Sequence, residues 1–103
     1  MKTLKKESEF KEVLRNGKKE FSAIGIMFKM PSDELSLGLI TSKKIGSAVI
    51  RNKIRRRLRE SIKEINNQTP IPAKIVLMPN KDAIKIVYKD LIKSIRKMIG
   101  NNQ

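Results

Sequence analysis

The sequence predicts one α+β domain, residues 1–103, folded as a two-layer α/β sandwich on a single sheet. Helical and strand-like patterns follow one another as a helix, two or three strands, a helix, a strand and a helix. With three strands before the second helix, the predicted order is α-β-β-β-α-β-α, and no Gly/Ser-rich linker or internal repeat divides it. The chain has 103 residues, of which 39% are hydrophobic, which is enough for one core of modest size. One sheet flanked by helices is the arrangement that buries such elements together.

The first predicted helix is the segment "SEFKEVLRNG". Phe10, Val13 and Leu14 recur there at helical spacing, which indicates one apolar face. A serine at the start of a helix accepts hydrogen bonds from its free N–H groups, and a glycine after the last turn favours its end. We therefore expect Ser8 to cap this helix and Gly17 to end it.

Three runs of the sequence predict strands. "FSAIGIMFKM" (residues 21–30) is rich in strand-forming residues, and "LSLGLIT" (residues 35–41) alternates apolar and polar positions. A short polar turn separates these two runs, so we expect them to pair as a hairpin. "AKIVLMP" (residues 73–79) is continuously apolar between turn signals, which predicts a central strand covered on both faces.

Two further helices are predicted, over residues 48–66 and over the segment "YKDLIKSIRKMIG". Ser47 precedes the second helix as a capping residue, and Gly100 follows the last one as its end. At about 100° per residue the second helix carries one apolar arc, which we expect to face the sheet. The residues of this arc are Ile50, Ile54, Leu58, Ile62 and Ile65.

The composition excludes most protein-borne chemistry. There is no His and no Cys, hence no imidazole base, no thiolate nucleophile and no ordinary zinc site. The ten acidic residues are scattered along the chain, so we expect no catalytic residue and no metal site on the protein itself. The absence of Cys suits a cytoplasmic location, and no apolar run is long enough to predict a membrane span.

Positive charge dominates the sequence. Lys and Arg number 24 against ten acidic residues, a formal net charge of +14, which indicates a polyanionic partner. Eight of the seventeen residues in positions 43–59 are basic. Arg51, Arg55 and Arg59 lie one helical turn apart and repel one another by a few tenths of a kcal/mol per pair. A helix that tolerates this repulsion predicts an external anion, and the planar fork of arginine suits the phosphates of a nucleic acid.

The segment "TSKKIGS" leads into this basic helix. Lys43 and Lys44 stand just before a helix N-terminus, whose free N–H groups favour phosphate. Gly46 permits a positive φ angle or a close approach of the backbone. Together with the helix, these residues resemble the "RNR" signature of the bacterial ribonuclease P protein subunit, and the resemblance extends over nearly the whole chain. The residues that carry it are Lys43, Lys44, Gly46, Ala48, Val49, Arg51, Asn52, Arg55, Arg56, Arg59 and Glu60.

The resemblance implies a fold and a function. The implied fold is ribosomal protein S5 domain 2-like, with a left-handed β-α-β crossover through the basic helix. The implied function is that of an RNA-binding subunit of the ribonuclease P holoenzyme, in which a catalytic RNA uses Mg²⁺ to remove the 5′ leader from precursor tRNA. The implied partners are therefore the ribonuclease P RNA subunit and the precursor tRNA 5′ leader, with no membrane. The implied RNA-binding residues are Lys43, Lys44, Arg51, Asn52, Lys53, Arg55, Arg56 and Arg59.

The resemblance also implies a cleft for the single-stranded leader between the first helix and the open face of the sheet. Phe10, Leu14 and Phe28 correspond to its lining, and the two aromatic rings can stack on bases. Core packing is the alternative role for both rings. Leu14 replaces an aromatic residue that is usual in the family, and it stacks poorly, so we expect a weaker leader contact there.

Two other functions are consistent with the charge alone. A ribosomal or other structural RNA-binding protein would be equally basic but would have no reason to keep aromatic residues in a cleft. A double-stranded DNA-binding protein of the helix-turn-helix type would need a second helix and a short turn directly before the basic helix, and neither is predicted.

Overall fold

The protein is a mixed α+β domain built on a five-stranded sheet, and a computed structural model describes its residues 1–100. Residues 101–103 of the predicted domain lie outside the described residues. A short 3₁₀ turn, Lys43–Ile45, precedes the longest helix. The elements are β1 (Lys2–Thr3), α1 (Glu7–Asn16), β2 (Lys18–Ser22), β3 (Gly25–Pro31), β4 (Ser36–Leu39), α2 (Ala48–Gln68), β5 (Ala73–Pro79), α3 (Asp82–Lys85) and α4 (Tyr88–Ile99).

The sheet has the strand order β1-β4-β5-β3-β2, so the continuous apolar run does form the central strand, as predicted. β5 is antiparallel to β3 and parallel to β4, and β1 pairs in parallel with β4. Helix α2 connects the parallel neighbours β4 and β5. The predicted order of main elements is confirmed, and the short elements β1 and α3 add to it.

The predicted hairpin between residues 21–30 and residues 35–41 is wrong. Residues 21–30 contain the end of β2, a tight turn and most of β3, and these two strands pair with each other. The turn requires glycine at position 25. Gly25 has a φ angle of 143°, which other residues rarely adopt, and a Cβ there would lie only 2.2 Å from the carbonyl oxygen of Met78. β3 and β4 are separated by β5, which hydrogen-bonds to both of them.

Each face of the sheet carries its own hydrophobic cluster. The larger cluster lies between the sheet and helices α2 and α4, and it includes Met27, Leu37, Ile75 and Leu77 from the strands. The smaller cluster lies on the opposite face beneath α1. Its buried members are Leu4, Val13 and Val76. The central strand is therefore covered on both faces, which explains why its sequence is apolar throughout.

The helix starts agree with the sequence at α2 and differ at α1. Ser47 caps α2, its hydroxyl oxygen accepting from the backbone N–H of Ile50 at 3.3 Å. Helix α1 begins one residue before Ser8, and Glu9 rather than Ser8 makes the capping contact, with the backbone just ahead of the helix. The Glu9 carboxylate accepts from the backbone N–H groups of residues 5 and 6 at 3.3 Å and 3.1 Å. The negative charge of a carboxylate in the first turn also interacts favourably with the positive end of the helix dipole, whereas the neutral serine hydroxyl does not.

Helix α4 ends at Gly100 in the left-handed conformation, as predicted. The Lys29 ammonium of β3 donates to the backbone carbonyl oxygens of Met98 and Ile99 at 2.7 Å and 2.8 Å. Partial burial lowers the pKa of Lys29, while the nearby Glu20 carboxylate acts in the opposite direction. These contacts attach the end of α4 to the sheet.

Candidate nucleic-acid interface

The lead-in segment before α2 is held in a fixed conformation by the helix itself. Gly46 has a φ angle of 152°, so the positive φ allowed for in the sequence is present. The Arg51 guanidinium donates to the carbonyl oxygen of Gly46 at 2.9 Å and thereby ties the segment to the first turn of the helix. Lys43 and Lys44 are exposed in the 3₁₀ turn beside this contact. Arg51 thus positions the two lysines, and its remaining N–H donors form no hydrogen bond or ion pair with residues 1–100.

A shallow, open groove runs along the exposed side of α2. The Arg55 guanidinium donates to the Asn52 side-chain oxygen at 3.0 Å, which orients both groups. The residues that line the groove are Asn52, Arg55, Arg56, Arg59 and Glu60. The structure therefore brings together four of the eight residues that the resemblance assigns to RNA binding. Lys53 is exposed but does not line the groove.

The cations of this groove have no protein counterions within residues 1–100. The ion pairs of the described residues connect lysines of other elements with Glu7, Glu12, Glu20 and Glu34. Glu60, which is part of the groove, forms no ion pair among those residues. The repulsion between the arginines of α2 is therefore relieved only by solvent ions or by an external anion.

Arg57 differs from the neighbouring arginines. It is half-buried, and its guanidinium donates to the backbone carbonyl oxygens of Ala83, at 2.9 Å, and Ile86. It thereby connects α2 to the end of α3 and has a structural role on the side of the helix away from the groove.

Ile50, which the sequence places on the arc expected to face the sheet, lies outside the buried core. Its residue remains 37% exposed, whereas Ile54, Leu58, Ile62 and Ile65 are fully buried. The first turn of α2 extends past the buried cluster, and the Ile50 side chain lies against Gly46 instead, where an added Cβ would be 3.1 Å from it. The helical period identifies the apolar arc correctly but cannot show where along the helix the sheet ends.

The three residues assigned to the leader cleft lie in one cluster. Phe10, Leu14 and Phe28 are all half-buried and pack against the smaller hydrophobic cluster beneath α1. The ring of Phe10 lies directly on Gly38, where an added Cβ would be 2.5 Å from its Cε1 atom. Both aromatic residues therefore contribute to packing and also keep part of their surface accessible.

The sheet face next to α1 remains open toward the lead-in segment. A groove of about 290 Å³ lies at that end of the sheet, between the cleft and the start of the basic helix. Its lining residues are Gly25, Ile26, Ile40, Ser42, Met78, Pro79 and Asn80. Ser42 directly precedes Lys43, so the apolar face of the sheet and the basic lead-in segment form adjoining surfaces.

Two residues of this face were not identified from the sequence. Phe21 is 66% exposed on β2, and the Lys19 ammonium lies 5.2 Å from the centre of its ring. The same ammonium lies 5.6 Å from the centre of the Phe28 ring. Lys19 and Phe21 are two residues apart, and this alternation along β2 would have placed them on one face had the strand been recognised.

Within residues 1–100 no three acidic side chains come together in a way that could hold a metal ion. No helix in the same part of the chain is both long and apolar enough to cross a bilayer. The fold and these surfaces define a small, strongly basic α+β protein with an arginine groove beside an aromatic sheet face.

Comparison with known proteins identifies the family. The family model described as Ribonuclease P matches residues 1–102. The ribonuclease P protein component of Bacillus cereus is 33% identical over 95 residues, which cover 89% of this chain and 83% of that protein. The chain therefore belongs to the ribonuclease P protein family.

Solved structures confirm the fold. The ribonuclease P protein of Staphylococcus aureus superposes with a TM-score of 0.82 at 23% identity, covering 100% of this chain and 96% of that one. The ribonuclease P protein of Thermotoga maritima superposes with a TM-score of 0.83 at 19% identity, covering 100% and 99%.

Proposed function

We propose that this protein is the RNA-binding subunit of ribonuclease P and assists a catalytic RNA in removing the 5′ leader from precursor tRNA. The observation that carries the proposal is the groove on α2, where Asn52 and three arginines lie side by side without ion pairs to residues 1–100. Guanidinium groups bind phosphate through paired N–H donors, so an RNA backbone relieves the repulsion between them. Membership of the ribonuclease P protein family supports this assignment.

The groove and its lead-in segment are assigned to the RNA subunit. Arg55, Arg56 and Arg59 supply the groove, and Lys43 and Lys44 extend it around the N-terminus of α2. The extent of this surface suits the backbone of a folded RNA better than a single phosphate. In this arrangement Lys53 contributes long-range attraction only, since it does not line the groove.

The cleft beneath α1 is assigned to the 5′ leader of the substrate. Phe10 and Phe28 offer partly accessible rings, and the adjoining sheet face is open and apolar. Single-stranded nucleotides can turn their bases onto such a surface, whereas a duplex cannot. Leu14 offers apolar contact without a stacking surface, so the leader is held less firmly at that point.

The chemistry is assigned to the RNA subunit, and the holoenzyme, rather than the protein alone, is the enzyme. Mg²⁺ prefers oxygen ligands such as carboxylates and phosphates. The side chains of residues 1–100 do not fit a site for this ion, because no three acidic groups meet. We therefore assign Mg²⁺ to the RNA subunit and the substrate. Because the sequence has no His and no Cys, we assign no catalytic residue to the protein.

The test is reconstitution of cleavage. Purified protein is added to ribonuclease P RNA at a low Mg²⁺ concentration, and cleavage of precursor tRNA is followed. The protein should restore cleavage that the bare RNA lacks under these conditions. Arg55→Ala combined with Arg59→Ala should weaken binding of the RNA subunit by roughly tenfold per lost contact, since a charge-assisted hydrogen bond contributes about 1.5 kcal/mol.

Lys53→Ala is the control, because it removes one positive charge from the same helix outside the groove. Circular dichroism should show the same helix content in all variants. If the protein has no effect on cleavage, or if Lys53→Ala weakens binding as much as the groove variants do per charge, the assignment is wrong.

A further inference from the structure

The exposed aromatic residue Phe21 has no evident role in folding. It lies on the edge strand β2 with 66% of its surface accessible. In the β2–β3 pairing it stands opposite Ile26, and Lys19 stands opposite Phe28. Directly paired residues of antiparallel strands share a face, so Phe21 and Lys19 extend the same face that carries Phe28.

Lys19 connects the two rings electrostatically. Its ammonium lies 5.2 Å from the Phe21 ring centre and 5.6 Å from the Phe28 ring centre, both within the range of a cation–π contact. Neighbouring Lys18 and Glu20 lie on the opposite face of β2 and pair with each other at 3.4 Å. Within residues 1–100 Lys19 forms no ion pair, so its charge remains available to an anion between the two rings.

We propose that Phe21 and Lys19 form a second nucleotide position next to Phe28. One base stacks on Phe28, the next stacks on Phe21, and Lys19 binds the phosphate that joins the two nucleotides. This inference rests on the proposed function, since it identifies where the leader passes after the cleft. The leader then crosses the sheet from the cleft toward its β2 edge, and nucleotides farther from the cleavage site contact Phe21.

The surface formed by Phe21, Lys19 and Phe28 has a positive charge between two rings, and this suits single-stranded RNA better than a protein partner. A protein partner would bury Phe21 in an apolar pocket and would have to desolvate the Lys19 ammonium as well. In single-stranded RNA, two neighbouring bases can stack on the two rings while the phosphate between them binds the Lys19 ammonium.

The experiment uses the reconstituted holoenzyme and a series of precursor tRNAs whose leaders shorten one nucleotide at a time. Phe21→Leu retains apolar area but removes the flat ring, and Phe21→Trp retains a ring. Phe21→Leu should lower affinity about fivefold or more for long leaders, as expected for loss of one stacked base. The loss should disappear once the leader is too short to reach Phe21, and Phe21→Trp should bind like the parent.

Lys19→Gln tests the phosphate contact. It should weaken long-leader binding and reduce the salt slope of that binding by about one. Lys18→Gln is its control, because it removes the same charge from the other face of the same strand. Melting temperatures close to that of the parent verify that the exposed substitutions leave the fold intact.

Failure of this inference and failure of the proposed function give different results. If Phe28→Ala shows a leader-dependent loss and Phe21→Leu binds like the parent at every length, the second position does not exist. If Phe21→Leu weakens binding of mature tRNA or of the RNA subunit equally, Phe21 belongs to another contact and the inference is overturned. If cleavage does not depend on the protein at all, the proposed function fails first.

Discussion

Arg57→Ala should destabilise the fold, whereas Arg56→Ala, one residue away, should leave the stability almost unchanged. The Arg57 guanidinium donates hydrogen bonds to the carbonyl oxygens of Ala83 and Ile86, and truncation to alanine removes both hydrogen bonds. Hydrogen bonds to charged groups contribute about 1.5–3 kcal/mol each when well sheltered. Arg57 is only half-buried, so we discount its two bonds to about 2 kcal/mol together.

Such a loss should be plain in thermal unfolding. A change of 1 kcal/mol shifts the melting temperature of a domain of this size by about 4–8 °C, so Arg57→Ala should melt roughly 8–16 °C below the parent. Arg56 is exposed, and its truncation should change stability by less than about 0.5 kcal/mol. Both variants remove one positive charge from α2 and introduce the same helix-forming residue, so net charge and helix propensity cancel in the comparison.

RNA binding should show the opposite order. At a temperature where both variants are folded, Arg56→Ala should weaken binding of the RNA subunit, and Arg57→Ala should bind like the parent. Urea unfolding followed by circular dichroism gives the stabilities, and a binding titration gives the affinities. Equal melting temperatures for the two variants would show that the contacts between Arg57 and α3 contribute nothing to stability, and the reasoning would be refuted.

Three further outcomes are expected. Affinity for the RNA subunit should fall with rising salt with a log–log slope of roughly −3 to −4 if the five cations assigned to this surface each neutralise one phosphate. A nearly flat titration would contradict the groove assignment. Phe28→Ala should lower the free energy of unfolding by less than the roughly 3–5 kcal/mol expected for a fully buried ring. It should weaken binding of long-leader substrates by about 1–3 kcal/mol. A loss of binding that does not depend on leader length would mean that Phe28 acts in the core alone. Gly38→Ala should displace the Phe10 ring and destabilise the fold by about 1–3 kcal/mol. A melting temperature and a leader affinity equal to those of the parent would show that the Phe10 ring can move away at no cost.

The central strand and the basic helix could be predicted because each depends on a local signal. An apolar run bounded by turn residues is sufficient to identify β5, and the period of α2 is sufficient to separate its apolar arc from its charges. Ser47 and Gly100 were identifiable because their roles at the helix ends depend on backbone conformation and not on distant partners. The residues that resemble the ribonuclease P signature could be identified for the same reason, because they lie close together in the sequence, in the lead-in segment and α2.

The pairing of strands and the roles of individual side chains could not be predicted in the same way. The hairpin was assigned to the wrong strands because nothing near residues 31–35 shows that β5 will lie between β3 and β4. Arg57 resembles its neighbours in the sequence, and only the short helix α3, which has too weak a pattern to predict, distinguishes it. Phe21 was grouped with the residues after it, so its position on the β2 edge was missed.

The position of β5 also determines when the domain can fold during synthesis. β1 pairs with β4, and β2 pairs with β3, but these two pairs have no hydrogen bonds to each other until β5 joins them. Within residues 1–100, β5 (residues 73–79) is the last strand in the sequence. A nascent chain that ends before residue 73 therefore holds two separate halves of a sheet, each with an unpaired edge and an apolar face exposed. Folding becomes possible only when about three quarters of the chain has left the ribosome, and the last strand then completes the sheet from its middle.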